Sequence, residues 1–174
     1  DRKPARTHGA RSKLDGMNKL TQDLLKELFL YEPETGKFTR KSTPNRKVGS
    51  VTSHGRLNIF IDYQQYYAHR LAWLYVYGSW PVADVDHIDG NPLNNAIENL
   101  RDVSRSVNMQ NIKRARKDSH SGLVGVLKDK RKDRYMAYIC VDGGRKYLGT
   151  FDTAEQANAA YLSVKRLVHP GCTI

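Results

Sequence analysis

The sequence predicts an α+β protein made of small antiparallel sheets, each packed against a helix. Three observations lead there. Apolar residues keep helical spacing only over short stretches, such as Leu20, Leu24, Leu25 and Leu28. Between those stretches apolar and polar residues alternate as they do in half-buried strands, and Gly, Pro and Asp-Gly turns interrupt the chain too often for long helices or parallel crossovers. A length of 174 residues suits one principal domain with a smaller one appended.

Taken in order, residues 1–17 carry Arg2, Lys3, Arg6, Arg11 and Lys13 with almost no large apolar side chain, so they read as a flexible basic arm. A first helix follows, with Asn18 or Thr21 as N-cap, and is expected to run until Pro33 and Gly36 stop it. Phe38, Val48, Val51, Leu57, Ile59 and Ile61 then suggest short strands of one small sheet. Residues 67–77 predict a second helix with Tyr67, Leu71, Leu74 and Tyr75 as its apolar stripe, ended by Gly78 and Pro81.

Val82 to Val85 lead as a strand into Asp86-His87-Ile88-Asp89-Gly90, a polar loop runs through Asn95, and Leu100 to Val103 form a returning strand. Ser104 can cap a helix carrying Val107, Asn108, Asn111 and Ile112. This unit is strand, loop, strand, helix. After a polar linker, 118–122, the period becomes that of strands at 123–128, 134–141 and 145–148, with Asp142-Gly143-Gly144 as the hairpin turn. Ala137, Ile139 and Val141 share the face expected to be buried, and a last helix with Ala157, Ala160, Tyr161 and Val164 on its inner stripe covers it. Asp152 or Thr153 caps that helix, with Glu155 and Gln156 placed for a capping box.

The net charge of +11 favours a polyanionic partner. No apolar run approaches the roughly 18–20 residues a membrane span needs, so a place inside a cell and no membrane partner are expected. Cys140 and Cys172 are too few and too isolated for a disulfide framework or a structural zinc site.

Chemistry concentrates in 86–111. A strand and a helix there can bring Asp86 and Asn108 together as oxygen ligands of a divalent ion, the hard donors that Mg2+ or Mn2+ prefers. His87, one residue along the strand, points to the opposite face unless the strand is distorted. A capped turn would explain any one of these residues, but no folding requirement calls for the whole set in one short unit.

The runs DHIDGN, NNAIENLR and NMQN closely resemble the HNH endonucleases of phage and mobile-intron origin, in the variant whose third signature residue is Asn. The resemblance implies a ββα-metal (His-Me finger) core at about 82–113 inside a nuclease domain, 18–117, with a small N-terminal α/β elaboration. It further implies one divalent metal held by Asp86 and Asn108, His87 as the general base, and Asn99 bonding the His87 ring to fix its tautomer. Asn111 is expected to support the metal shell or to contact phosphate. Ala96 stands where relatives often carry a larger or basic residue. His69 is expected to be structural and Arg70 to contact phosphate.

Residues 123–174, through the hairpin glycines, the YLGTFDTAEQA run and the Ala-rich helix, resemble the DNA-binding domain of the plant ethylene response factors. That resemblance implies duplex recognition by the exposed face of the sheet, with Arg145 and Tyr147 in matching positions on the third strand, and Tyr138 and Cys140 on the matching face of the second. Val124, Leu127 and Asp129 stand where the plant domains place arginines, and Cys140 replaces another, so the surface carries over and the target sequence does not. Lys113, Arg114, Arg116 and Lys117 beside the nuclease unit, and Lys128 and Arg134 on the sheet, are the expected phosphate contacts.

The expectation is therefore a homing-type, site-selective DNA endonuclease that acts on double-stranded DNA in the cytoplasm of a phage-infected bacterial host. It is a monomer in solution, able to pair on DNA, and nicks one strand per active site. The rival readings are a sequence-specific DNA-binding regulator with an inert nuclease unit, and a nuclease of RNA or branched DNA.

Overall fold

The computed structural model describes residues 20–129 and 131–173, so the basic arm lies outside the described residues. The architecture is α+β, with four small antiparallel sheets and four helices among the described residues.

Helix α1 spans Gln22–Leu28, and Thr21, not Asn18, accepts from the Leu24 N–H at its start. It ends earlier than Pro33: the chain passes straight into strand β1, Phe29–Glu32, which pairs with β2, Lys37–Arg40. The reason is period. Phe29 and Tyr31 are buried while Leu30 and Glu32 are exposed, an alternation that a helix cannot satisfy. The second sheet has the order β3 (Ser50–Val51), β4 (Leu57–Ile61), β5 (Gln64–Tyr67). Strand β5 is unexpected, because its two-residue turn, Asp62-Tyr63, adopts φ of 47° and 62° without the glycine that usually marks such turns.

Helix α2 is Ala68–Tyr77, closed by Gly78 in the left-handed region at φ 77°. Its buried side is Ala68, His69, Leu71, Ala72 and Leu74; Tyr67 belongs to β5 and is exposed. Together with Leu25, Phe29, Phe38 and Ile59, the residues Ala68, Leu71, Ala72 and Leu74 form the first apolar cluster, and Val85 and Leu100 join it from the next hairpin. Burial of those two side chains contributes roughly 1.5–3 kcal/mol each, enough to fasten the hairpin to the cluster.

That hairpin is β6 (Asp84–His87) with β7 (Leu100–Val103), in the register Asp86↔Arg101 and His87↔Leu100. Helix α3, Arg105–Gln110, follows with Ser104 as its cap. Strand–loop–strand–helix is thus the order expected, although α3 stops at Gln110 and Asn111 becomes its C-cap.

A second apolar cluster lies in the remaining chain: Val126, Ala137, Ile139, Ala154, Ala157 and Tyr161. Strands β8 (Val126–Asp129), β9 (Arg134–Val141) and β10 (Gly144–Phe151) form a sheet in that order, backed by α4, Ala154–Val168. Thr153 caps α4 and Gln156 completes the capping box. Strand β10 runs on to Phe151, past the expected 148, because a bulge between Tyr147 and Gly149 restores its register with β9. No helix among the described residues is long and apolar enough to cross a membrane.

Candidate active site

The β6–β7 hairpin presents its polar residues to two sides. Asp84 and Asp86, two apart on β6, face α3, while His87 faces the loop that precedes β7.

Asp86 is buried. Arg101, directly across the hairpin, donates to its Oδ2 from both Nε (3.0 Å) and Nη2 (2.8 Å). Asn111 Nδ2 approaches the same carboxylate at 3.1 Å and 3.3 Å and also donates to the His87 carbonyl at 2.9 Å. An ion pair at such a depth needs further hydrogen bonds to hold, and Asn111 supplies them to the carboxylate. Most of the bonding falls on Oδ2; Oδ1 receives only the long contact from Asn111. Asn108 on α3 donates its Nδ2 to Asp84 Oδ2 at 3.3 Å, which turns its own Oδ1 away from that carboxylate.

The donor types fit a hard divalent ion: carboxylate oxygens of Asp86, with Asp84 beside it, and amide Oδ1 of Asn108 have lone pairs to give. Among the described residues no group of three or more His, Cys, Asp or Glu side chains is placed to hold a metal ion.

On the other side, His87 Nε2 lies 3.2 Å from Asn95 Oδ1. A carbonyl oxygen only accepts, so Nε2 carries the proton and Nδ1 keeps the lone pair that a general base needs. Burial pushes the His87 pKa below 6.5, against the opposing pull of the Asn95 bond, and the ring is neutral at pH 7. Asn95 is itself held: it is 1% exposed, its Nδ2 donates to the Leu93 carbonyl, and its own carbonyl accepts from the Tyr31 hydroxyl at 2.7 Å. Burial, and after it Tyr77, raises the Tyr31 pKa, which keeps that phenol a donor.

The bond to the ring expected from Asn99 thus comes from Asn95. Asn99 sits in a 3-10 turn, Ile97–Asn99, and faces the loop instead: its Oδ1 accepts from the Asp89 N–H at 2.9 Å, and its Nδ2 donates to Asp89 Oδ1 and to the Asn94 carbonyl. Its backbone carbonyl accepts from the Ile88 N–H, closing the hairpin. Asn99 holds the shape of the loop, and the loop holds Asn95.

Burial raises the Asp89 pKa, but the Asn91 N–H and the amides of Asn94 and Asn99 outweigh it and keep the carboxyl below its ordinary value. A carboxyl so depressed stabilises the fold above its unfolded pKa of about 3.9, and that contribution is lost as pH falls through the folded value. Acid unfolding of Asp89→Asn should therefore begin from a lower stability at pH 7 and show a shallower loss below pH ~4 than wild type. A parallel loss in the two proteins would contradict the loop network.

His69, expected to be structural, is buried edge-on to His87, their ring centroids 5.2 Å apart, and stacks on Tyr67. Burial above all, with electrostatic repulsion from His87, Arg56 and Arg70 after it, pushes its pKa down to about 3, so it stays neutral beside the His87 ring. Arg70 donates to the carbonyls of Ala83 (3.3 Å) and Pro81 (3.5 Å), which ties α2 to the entry of β6.

The remaining basic residues lie outward. Arg114, Arg116 and Lys117 are exposed after α3, and Lys113 is half-buried near Gly90. On the sheet face, the Arg145 guanidinium lies 3.8 Å from the Tyr138 ring centroid, and Tyr147 packs on Tyr138. Lys128 pairs with Asp133 and Arg134 with Asp152. Exposed pairs of this kind are weak and screened by solvent, so a phosphate can displace the carboxylate.

Asp84, Asn95 and Arg101 are the site residues that sequence reasoning misses. Only Arg101 leaves a trace, since a hairpin register placing it opposite Asp86 is readable once the loop length is known.

The HNH endonuclease family matches over residues 66–110, from the end of β5 to the end of α3. Protein 3.8 of Escherichia phage T7 is 31% identical over 111 residues, which take in 61% of this chain and 91% of that protein. A solved structure of the HNH homing endonuclease I-HmuI, described for its DNA binding and cleavage, is similar at 25% identity and a TM-score of 0.39. The match takes in 48% of this chain and 50% of that one, so the chain spans about half its length. With the family's segment falling on the hairpin and helix that carry Asp86, His87 and Asn108, and nine-tenths of the phage protein covered, this chain belongs to the HNH endonuclease family.

Proposed function

We propose that the protein is a site-selective, metal-dependent DNA endonuclease of homing type, nicking one strand per active site. The observation that carries it is the neutral His87, its Nδ1 lone pair left open by the Asn95 bond, on the strand that also bears Asp86. Asp86 and Asn108 would hold the divalent ion, Mg2+ or Mn2+, which when bound neutralises charge at the scissile phosphate and the leaving oxygen.

His87 takes a proton from the attacking water at Nδ1. Asn95 keeps the ring from turning, Asn99 keeps the loop that bears Asn95, and Arg101 and Asn111 keep Asp86 oriented. Hydrolysis leaves a 5′-phosphate and a 3′-hydroxyl. The β8–β9–β10 face supplies selection, with Arg145, Tyr138 and Tyr147 against double-stranded DNA in the manner of the ethylene-response-factor domain. Lys113, Arg114, Arg116 and Lys117 contact the backbone between that face and the cut, and Lys128 and Arg134 do so at the sheet itself. A monomer nicks; cutting both strands takes two copies on one duplex.

Supercoiled plasmid and phage DNA incubated with the protein should give relaxed circles in Mg2+ and none in chelator. Tight, salt-sensitive binding without any cut across several DNAs would instead make it a regulator. Arg145→Ala should weaken duplex binding by roughly 10- to 100-fold, and leave the rate at saturating DNA unchanged. Equal loss of binding in Arg145→Ala and His87→Ala would end the division of labour.

A further inference from the structure

Beyond α4 the chain turns back to the nuclease hairpin. His169 Nε2 lies 2.7 Å from the Cys140 carbonyl, pinning the turn to β9, and the following residues lie against the far side of the Asp86 site. The Gly171 N–H donates to Gln110 Oε1 at 3.0 Å, and the Gly171 carbonyl accepts from Arg101 Nη2 at 2.8 Å, the same nitrogen that holds Asp86 Oδ2. The Thr173 hydroxyl, with one proton to donate, faces two acceptors, the Ile88 carbonyl (2.7 Å) and, closer, Asn111 Oδ1 (2.5 Å). There is no slack at Gly171: a Cβ there would come within 2.3 Å of the Val107 carbonyl oxygen.

We propose that the segment Gly171–Thr173 is a working part of the nuclease centre, with Thr173 and the Gly171 carbonyl positioning Asp86 for the metal through Asn111 and Arg101. The inference rests on the nuclease reading above. Its logic is one of donors and acceptors. An amide side chain can present either end to a carboxylate, and only its N–H end is attractive; Thr173 bonds the oxygen end, so the N–H end is left for Asp86. Arg101 has a mobile side chain that the Gly171 carbonyl fixes from behind, which concentrates its donors on Oδ2 and leaves Oδ1 to the ion. Seating of the second apolar cluster and the geometry of the metal carboxylate are thereby one event. Lys165, 1% exposed on α4, completes the seat by donating to the Ile112 carbonyl at 2.8 Å.

The test compares full-length wild type, Thr173→Val, Thr173→Ser, Gly171→Ala and Asp86→Ala. Mn2+ is titrated calorimetrically into each without DNA, alongside Tm, duplex affinity in chelator, and plasmid nicking. Thr173→Val and Gly171→Ala should bind Mn2+ about tenfold more weakly, the usual cost of removing a partner of a metal ligand, and nick in proportion at limiting metal. Thr173→Ser should match wild type, and duplex affinity in chelator should not move. If Asp86→Ala loses Mn2+ binding while Thr173→Val binds it as wild type does, this proposal falls and the nuclease reading stands. If Asp86→Ala still binds and cuts, or wild type never cuts, both fall. Tighter Mn2+ binding in Thr173→Val would mean that the segment blocks the site, and weaker binding accompanied by a lowered Tm and unrescued by serine would make it structural only; either result overturns the proposal.

Discussion

Replacing His87 with alanine will lower the single-turnover nicking rate by roughly 10²–10⁴-fold, the range over which a positioned general base acts. The imidazole is buried, neutral and held by one bond, so nothing else at that place can take the proton from water. His69 is 5.2 Å away between ring centroids, but its pKa of about 3 makes it a very weak base, and it is walled in by Tyr67. Duplex affinity and Tm should change little. Asn95→Ala keeps the imidazole and loses its anchor, so its rate should fall between the two. A His87→Ala protein that nicks at the wild-type rate would remove the base from the mechanism altogether.

The largest effect on stability is expected from Gly36→Ala, far from the hairpin in sequence. Gly36 ends the β1–β2 turn at φ 71°, and a Cβ there would lie 2.2 Å from the Asn95 carbonyl carbon and 2.4 Å from the Ala96 nitrogen. The obstacle is backbone, which cannot swing aside as a side chain can. A left-handed alanine costs about 1–2 kcal/mol and forced overpacking a further 1–3, so the urea midpoint should fall by an amount worth roughly 2–5 kcal/mol. Because the displaced group is the residue that anchors His87, nicking by the fraction still folded should also be slower than wild type. Unchanged stability would mean that turn and loop do not meet as described.

The contrast between those two residues shows what the sequence carries and what it does not. The β7 limits, the Ser104 cap and the helix ends at Gly78 and Thr153 follow from local rules: alternation, a hydroxyl before a helix, a glycine after one. Strand β5 escapes those rules because an Asp-Tyr pair takes a turn that glycine or asparagine normally announces. The order Asp86, His87, Asn99, Asn108 is legible as a set, and so is the family. The partner of the His87 ring is not, since Asn91, Asn94 and Asn95 are chemically alike and only the Tyr31 and Gly36 contacts, some sixty residues away in sequence, select Asn95. The grip of Thr173 on Asn111 spans a similar distance and leaves no periodic trace.

The bonds from Lys165 to Ile112, from Arg101 to Gly171 and from Thr173 to Ile88 join α4 and the residues after it to the β6–β7 hairpin and the chain just beyond α3 without using the connecting residues 118–122. On the proposed reading, one side of that junction selects a sequence and the other breaks a bond. The junction then acts as a ruler: the number of base pairs between the recognised sequence and the nick is set by how α4 is seated, and lengthening the connection around Ser119–Gly122 would leave that number as it is.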